Sequence, residues 1–236
     1  MTGDVLSVKG LHAYYGTSHV LQGVDLTVGR ECVAIMGRNG MGKTTLLRAI
    51  LGLTPPRRRG AIRFDGVDVS KRPSYHVARR GLGYVPQGRR LFPSLSVQEH
   101  LVITHRQTDG HKDWTPDAVY ELFPELAERR RVSGTRLSGG EQQMLAIGRA
   151  LVTNPKLLMM DEPSEGLAPV VVERVLAACT KLVDAGIAIL LVEQNLRAAQ
   201  MVAGRVLVML TGNVVHQAPM AEFVLDDEAK KRYLGV

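Results

Sequence analysis

A glycine-rich run near the start of the chain carries its strongest chemical signal. The run reads Gly37-Arg38-Asn39-Gly40-Met41-Gly42-Lys43-Thr44 and continues with Thr45. Its spacing puts glycines where a backbone must bend and approach phosphates closely, a lysine that can reach β- and γ-phosphates, and a threonine hydroxyl that can ligate Mg²⁺. The run therefore predicts a phosphate-binding loop.

An acidic pair supplies a second signal. Asp161-Glu162 directly follows the apolar run 157–160, which has the composition of a parallel strand buried on both faces. The carboxyl ends of such strands border the ligand crevice of an open α/β sheet. We therefore expect Asp161 to help hold Mg²⁺. Because strand side chains alternate in direction, we expect Glu162 to point elsewhere and to orient or deprotonate a water.

A third signal lies in the segment Leu137-Ser138-Gly139-Gly140-Glu141. Ser138 and Glu141 have the spacing of a capping box, so a helix should run over about Gly139–Leu151. The two glycines of its first turn would leave the backbone N–H groups uncovered by side chains. A helix N-terminus of this kind is suited to binding a phosphate.

These side chains need elements to position them, and the sequence predicts both strands and helices. The phosphate loop lies between an apolar run that predicts a buried strand, Cys32–Met36, and a helical stretch, Lys43–Leu51. From about Arg89 to Val152 apolar residues recur at helical spacing and strand signals disappear. Further strands are predicted at 6–8, 20–28, 60–66, 84–85, 188–192, 205–209 and 214–216, and further helices at 169–185 and near the C-terminus.

This order of elements predicts an α/β fold, with one domain over 1–236. The core would be that of a phosphate-loop (P-loop) NTPase, a mostly parallel sheet with an N-terminal antiparallel β part, and would comprise 1–88 and 153–236. A helical lobe over 89–152 would be inserted into it and would carry the Ser138 segment.

Composition narrows the class of protein. The chain of 236 residues has a net charge of +7, but its arginine clusters are not interleaved with aromatic residues, so nucleic acid is not an expected partner. No apolar stretch approaches the roughly 20 residues of a membrane span, and no signal peptide is evident, which predicts a soluble, cytosolic chain. Cys32 and Cys179 lie in apolar contexts and are expected to be reduced core residues.

Taken in order, the phosphate loop, Gln87, the Leu-Ser-Gly-Gly-Glu segment and the acidic strand end resemble the ATP-binding cassette family over essentially the whole chain. The resemblance implies an ATPase in which two such subunits close head-to-tail around two ATPs with Mg²⁺. Each ATP would be held by the phosphate loop of one copy and by residues 138–141 of the other. Gln87 would sense Mg²⁺ and the water, and the ring of Tyr15 would stack on adenine.

Two departures from the family pattern refine the resemblance. Gln194 stands where most of the family has a switch histidine; it can still donate to a γ-phosphate, but it cannot titrate near neutral pH. Ala168 stands where an aspartate is usual. Both departures, together with the segment 83–93, are similar to the ATPase subunits of branched-chain amino-acid importers, and closely similar subunits serve urea and short amides.

The resemblance also implies partners and a location. The second ATPase subunit would be another copy or a homologue, and integral membrane permease subunits would dock near residues 87–97. A periplasmic or extracellular substrate-binding protein would act indirectly, and the chain would lie on the cytoplasmic face of the membrane.

Other classes of the same superfamily remain alternatives. DNA-handling ATPases insert long heptad coiled coils between their two halves, and ribosome-associated regulators usually carry two cassettes; this chain shows neither feature. ATPases that export lipids or polysaccharides are a further alternative, although the exporters that would be compared with this chain keep the histidine that Gln194 replaces.

Overall fold

The computed structural model describes residues 3–106 and 114–235 and contains two β-sheets with associated helices. The strands are β1 (Leu6–Tyr15), β2 (Ser18–Val28), β3 (Cys32–Met36), β4 (Arg57–Phe64), β5 (Val67–Asp68), β6 (Leu82–Val85), β7 (Leu157–Asp161), β8 (Ala188–Glu193), β9 (Arg205–Leu210) and β10 (Asn213–Pro219). The α-helices are α1 (Lys43–Leu51), α2 (Ser74–Arg79), α3 (Val97–Thr104), α4 (Pro116–Leu122), α5 (Pro124–Glu128), α6 (Gly139–Leu151), α7 (Pro169–Asp184), α8 (Leu196–Gln200), α9 (Met220–Leu225) and α10 (Asp227–Tyr233).

The two sheets differ in strand direction. The first is antiparallel, with strand order β2-β1-β4-β5. The second has the order β10-β9-β3-β8-β7-β6; its strands are parallel except for β10, which pairs antiparallel with β9. Helices α3 to α6 are inserted between β6 and β7. The predicted α/β fold is confirmed, whereas the boundaries at 88/89 and 152/153 stay a prediction.

The central strands of the second sheet, β3, β7 and β8, are buried on both faces, as their apolar sequences predict. In β3, Cys32, Ala34 and Met36 pack in one core with residues of α6 and α7. Val33 and Ile35 pack on the opposite face with α1 and the first sheet. This alternation follows from the two-residue period of a strand. Each fully buried leucine or isoleucine of these cores contributes about 1.5–3 kcal/mol of transfer free energy.

Parallel pairing brings the carboxyl ends of three neighbouring strands to one edge of the second sheet. Met36 at the end of β3 pairs with Glu193 at the end of β8. Asp161 at the end of β7 pairs with Val192 of β8. The loops that follow these strands therefore begin side by side, which is where ligand crevices form in open α/β sheets.

Several elements differ in extent from the sequence prediction. The helical period through Val119 and Leu126 is carried by two short helices, α4 and α5, because Phe123 precedes Pro124 and takes a non-helical conformation, φ −129° and ψ 79°. Strands β1 and β2 are longer than predicted because irregular register interrupts the alternation of buried and exposed residues between Val8 and His12. Helix α2 was not predicted; its six residues include a single buried side chain, so no period is detectable.

The cysteines are as expected. Cys32 and Cys179 are both buried free thiols. Burial raises the pKa of the Cys179 thiol to about 12, which keeps it protonated. Within the described residues, every helix falls short of the length and hydrophobicity that a bilayer span requires.

Candidate nucleotide site

The glycine-rich loop after β3 is closed around the side chain of Lys43. Its Nζ donates to the carbonyl oxygens of Gly37 at 2.7 Å and Arg38 at 3.1 Å, and lies 3.3 Å from Oε1 of Glu162. The lysine is only 4% exposed. The loop is thus folded about a buried positive charge, and this charge lies beside the acidic end of β7.

Two glycines of the loop are required for different reasons. A Cβ on Gly37 would lie 2.5 Å from the carbonyl oxygen of Met209 in β9, so only glycine allows this close approach. Gly42 begins α1 at φ 100°, a conformation that other residues rarely adopt. The loop is also fixed from outside, because the carbonyl oxygen of Met41 accepts from the N–H of Gly212 at 3.1 Å.

The start of α1 presents backbone donors that the helix itself does not use. The N–H of Leu46 makes the first helical bond, 2.9 Å to the Gly42 carbonyl oxygen. The N–H groups of Lys43, Thr44 and Thr45 precede that bond, and no acidic residue lies in the first turn. Together with the helix dipole and the lysine charge, these donors fit a chain of phosphates. The residues present therefore fit the triphosphate that the sequence predicts.

Thr44 and Asp161 form the oxygen-rich part of the site. Thr44 Oγ1 donates to Asp161 Oδ1 at 3.1 Å, and the hydroxyl of Tyr84 donates to Asp161 Oδ2 at 3.3 Å. Asp161 is 2% exposed, and burial raises the pKa of its carboxyl group. A cation bound here would restore the charged form, and a hydroxyl with a carboxylate is a donor set that Mg²⁺ prefers. Sequence analysis did not predict that Tyr84 contributes to the site. Its contact with Asp161 follows from the pairing of β6 with β7.

No cluster of three or more His, Cys, Asp or Glu residues with metal-binding geometry occurs among the described residues. A metal held by Thr44 and Asp161 would therefore depend on phosphate oxygens and water for its other ligands. This division of ligands is common for Mg²⁺ at nucleotide sites.

Glu162, for which the sequence predicts a water-orienting role, directly follows β7. Its backbone has φ 50°, an uncommon conformation for a residue with a side chain, and this turns the chain sharply after β7. Its Oε1 accepts from Gln194 Nε2 at 2.7 Å, and its Oε2 lies 3.4 Å from Gln87 Nε2. Glu162 is therefore fixed between two amides and the Lys43 ammonium group.

Gln194 and Gln87 approach the same carboxylate from different strands. Gln194, after β8, also donates from Nε2 to Oδ1 of Asn39 in the glycine-rich loop, at 2.5 Å. Gln87, after β6, donates to Oε2 of Glu165 at 2.8 Å. The structure thus brings Asn39, Gln87, Glu162 and Gln194 together, as the sequence predicts for a single site. The expected contact of Gln194 with a γ-phosphate stays a prediction.

Two acidic residues of this network were not predicted. Glu165 holds Gln87, and Glu193 at the end of β8 accepts from the N–H of Ser164 at 3.0 Å. Glu193 is 2% exposed, and burial raises the pKa of its carboxyl group. The signal that identified Asp161, an acidic residue ending an apolar strand, is present at Glu193 as well.

The Ser138 segment caps α6 as predicted. Ser138 N–H donates to Glu141 Oε2 at 2.7 Å, and Glu141 N–H to Ser138 Oγ at 3.3 Å. Gly140 has a packing role that was not foreseen: a Cβ there would lie 2.6 Å from Cγ1 of Val171 in α7. Among the described residues, no hydrogen bond or ion pair joins residues 138–141 to residues 37–45.

Tyr15 ends β1 and is half-buried, paired with Ser18 across the turn to β2. The strand that follows this turn reaches the glycine-rich loop, since a Cβ on Gly42 would lie 3.1 Å from Leu21. The contact with the loop is thus made by a residue of β2, and the stacking of Tyr15 on adenine stays a prediction.

A cleft of about 800 Å³ borders the loop on the side of Gln194, within the range of small-molecule sites. It is lined by Gly37, Arg38, Asn39, Gln194, Asn195, Leu196, Arg197 and Leu234. The arrangement as a whole can bind phosphates at a helix N-terminus, hold a divalent cation on oxygens, and present a fixed carboxylate to a water.

Comparison with known proteins agrees with this chemistry. A family model described as ABC transporter matches residues 21–165. The chain is 39% identical over 233 residues to the high-affinity branched-chain amino acid transport ATP-binding protein BraG of Pseudomonas aeruginosa, covering 98% of this chain and 100% of BraG. It is 34% identical over 239 residues to the lipopolysaccharide export system ATP-binding protein LptB of Haemophilus influenzae, covering 98% of each.

A comparison with solved structures gives a similar result for the fold. A solved structure of an ATP-binding cassette of an ABC transporter superposes with a TM-score of 0.84 and covers 98% of both chains at 23% sequence identity.

Proposed function

The chain belongs to the ABC transporter ATPase family, and from this premise we propose that it powers the import of branched-chain or other hydrophobic amino acids across the cytoplasmic membrane. The observation that carries the proposal is the full-length similarity to BraG, 39% against 34% for LptB. ATP hydrolysis is common to the family; the transported substrate and the direction of transport are the proposed part.

The site residues divide the work of hydrolysis among themselves. Lys43 and the N–H groups at the start of α1 would bind and orient the triphosphate, and Thr44 with Asp161 would hold Mg²⁺. The cation, when bound, neutralises phosphate charge and polarises the phosphoryl oxygens. Glu162 would orient a water and take its proton. The contacts with Lys43, Gln194 and Gln87 hold its carboxylate in place. Positioning and electrostatics supply most of the acceleration in such a site.

We propose that the complete site needs a second ATPase subunit. The capped N-terminus of α6 is exposed at Ser138 and is not bonded to the chain's own glycine-rich loop, which leaves residues 138–141 available to a partner's ATP. Residues 138–141 of one subunit and the loop of the other would then close on one nucleotide. The partner is a second copy or a homologue.

The same proposal places permease subunits against the segment 87–97. Phe92 in this segment is 51% exposed, so its ring is accessible to a partner surface. Arg149 of α6 holds the segment, donating to the carbonyl oxygens of Arg90 at 2.9 Å and Arg89 at 3.2 Å. Docking there would place the subunit at the cytoplasmic face of the membrane, with a substrate-binding protein acting from the other side.

Uptake in cells tests the substrate. In a strain lacking the gene, a plasmid carrying the wild-type gene should restore uptake of labelled leucine, and Lys43→Ala should not, because it removes the contact to the β/γ-phosphates. Normal leucine uptake in the deletion strain, with impaired uptake of urea or a short amide, would favour the related importers instead.

LptB-like lipid export is the second candidate, because LptB matches over nearly the same length. Affinity purification from membranes distinguishes the two. Recovery of permease subunits with leucine-dependent ATPase activity supports import, whereas a defect in surface lipopolysaccharide with normal leucine uptake supports export. Recovery of DNA or ribosomes in place of a membrane protein would contradict both.

A further inference from the structure

Glu165 belongs to none of the motifs that identify the site, yet it makes the shortest side-chain contact of Gln87. We propose that Glu165 is a positioning residue that orients the Gln87 amide with its carbonyl oxygen toward the metal and nucleotide. The inference deepens the proposed function and rests on the role given to Gln87 there.

The argument begins with the two chemically different ends of an amide. Its nitrogen only donates hydrogen bonds and its oxygen only accepts them, whereas an ionised carboxylate only accepts. Nε2 of Gln87 lies 2.8 Å from Oε2 of Glu165 and 3.4 Å from Oε2 of Glu162. An amide turned by half a rotation would place its oxygen against two carboxylate oxygens with no proton between them. The two glutamates therefore select one orientation.

In the selected orientation, Oε1 of Gln87 makes no hydrogen bond within residues 3–106 and 114–235, whereas Nε2 is engaged. Mg²⁺ takes oxygen ligands, so the carbonyl oxygen is the end of the amide that can serve it. Glu162 is poorly placed to select this orientation alone. Its Oε1 is already engaged by Gln194 at 2.7 Å and by Lys43 at 3.3 Å, and its Oε2 makes the longer contact with Gln87.

The backbone around Glu165 is fixed before any ligand binds. The N–H of Glu165 donates to the carbonyl oxygen of Glu162 at 3.2 Å, and the neighbouring N–H of Ser164 donates to the buried carboxylate of Glu193 at 3.0 Å. The turn that carries Glu165 is thus anchored to both β7 and β8. Glu165 itself is exposed, so its removal should change the orientation of Gln87 and not the stability of the fold.

Binding of the non-hydrolysable analogue AMP-PNP tests the proposal without turnover. Its affinity is measured by calorimetry in excess Mg²⁺ and again in EDTA, and the ratio of the two affinities reports the contribution of the metal. Glu165→Ala and Gln87→Ala should each lower this ratio by about five- to tenfold, which is the effect of losing one typical hydrogen bond. Because both variants act through one amide, the double variant should lower the ratio no further than either single variant.

Glu165→Gln is the matched control for charge. It removes the same negative charge as Glu165→Ala but keeps an acceptor and adds a donor, so it can pair with either orientation of the Gln87 amide. Its ratio should lie between those of the wild type and Glu165→Ala. The thermal midpoints of the metal-free proteins should be unchanged.

Three results would overturn the proposal, and they differ in what else they affect. A wild-type ratio in Glu165→Ala with a lowered ratio in Gln87→Ala removes Glu165 alone. A wild-type ratio in Gln87→Ala also removes the metal-sensing role proposed for Gln87, while the importer function stands on its uptake test. An equal fall in Glu165→Gln and Glu165→Ala assigns the effect to charge and not to orientation.

Discussion

Gln194 connects the glycine-rich loop to the carboxylate of Glu162 through one amide nitrogen, which donates to Asn39 and Glu162. An amide has no ionisation near neutral pH, whereas a histidine at the same position would titrate near about pH 6.5. We therefore predict that this position contributes no pH dependence to ATP hydrolysis between about pH 6 and 8. Gln194→His should introduce a loss of rate below about pH 6.5, because an imidazolium would pair with Glu162 and weaken it as a proton acceptor.

Single-turnover rates of the wild type, Gln194→Ala and Gln194→His between about pH 5 and 8.5 check this prediction. Burial raises the pKa of Asp161, so all three proteins should share a decline at the acid end as that carboxylate is protonated and holds Mg²⁺ less well. A wild-type limb near about pH 6.5 that disappears in Gln194→Ala would show that Gln194 is linked to an ionisation after all.

The sequence predicted the candidate site residues that lie in short local motifs. It missed those that are far apart along the chain and come together only in the fold. Lys43, Asp161 and Glu162 follow from short motifs next to predicted strands. Tyr84 and Glu165 act only because β6 lies beside β7, and that neighbourhood is a property of the sheet order. No spacing along the chain gives the 77 and 78 residues that separate Tyr84 from Asp161 and Gln87 from Glu165.

Helix α6 contains a glycine that packing explains. A Cβ on Gly148 would lie 2.6 Å from Cγ1 of Val119 and 3.3 Å from Cδ2 of Leu101. In an exposed helix, glycine to alanine gains about 1 kcal/mol, but overpacking a core costs about 1–3 kcal/mol. We expect overpacking to win, so that Gly148→Ala lowers the free energy of unfolding by about 1 kcal/mol.

Urea unfolding measures this effect. The control is Gly204→Ala, since a Cβ at Gly204 meets no atom within 4 Å and the change should be close to neutral. Val119→Ala should reduce the cost of Gly148→Ala when the two are combined, because it removes the methyl group in the way. A stabilising Gly148→Ala would mean that α4 moves aside easily and that helix propensity decides.

The loop before α3 depends on a neutral histidine. His100 is fully buried; its Nε2 accepts from the N–H of Phe92 at 2.9 Å, and its Nδ1 lies 2.8 Å from the Ser96 carbonyl oxygen. Burial lowers the pKa of His100, and the nearby Arg149 lowers it further. The unfolded chain therefore takes up this proton at higher pH, near about 6.5, than the folded chain does.

This difference predicts a pH-dependent stability with a definite sign. The contribution of His100 to the free energy of unfolding is complete above about pH 6.5 and is lost as the pH falls below it, because the unfolded state then binds more protons. His100→Gln should flatten that part of the profile in urea titrations. Gly148→Ala, which destabilises the same lobe without removing an ionisation, should lower the whole profile and keep its slope; an unchanged slope in His100→Gln would refute the assignment.

For the molecule as a whole, the fold class was predictable because its determinants are strong and local. Apolar runs that end in Met36, Asp161 and Glu193 predict buried parallel strands, and the change to helical spacing after about Arg89 predicts an insertion. Element ends were less predictable where register shifts in β1 or the proline after Phe123 interrupt a period. The proposed pairing of residues 138–141 with the glycine-rich loop of a second subunit was implied only by the family resemblance, because no pattern within one chain predicts which surfaces of two chains meet.

The last prediction concerns the proposed dimer. Glu162→Gln keeps the size of the side chain and its place between Lys43 and Gln194 but cannot take a proton from water. We expect this variant to bind ATP and to hydrolyse it at least about a hundredfold more slowly than the wild type. It should therefore accumulate as a dimer that is held together by ATP that has not been hydrolysed. Light scattering with and without ATP measures the molar mass of the protein and so distinguishes a monomer from a dimer. Adding Ser138→Ala should weaken that dimer, since the capped end of α6 would lose its hydroxyl, whereas a monomer that hydrolyses ATP at full rate regardless of Ser138 would rule out a site shared between two chains.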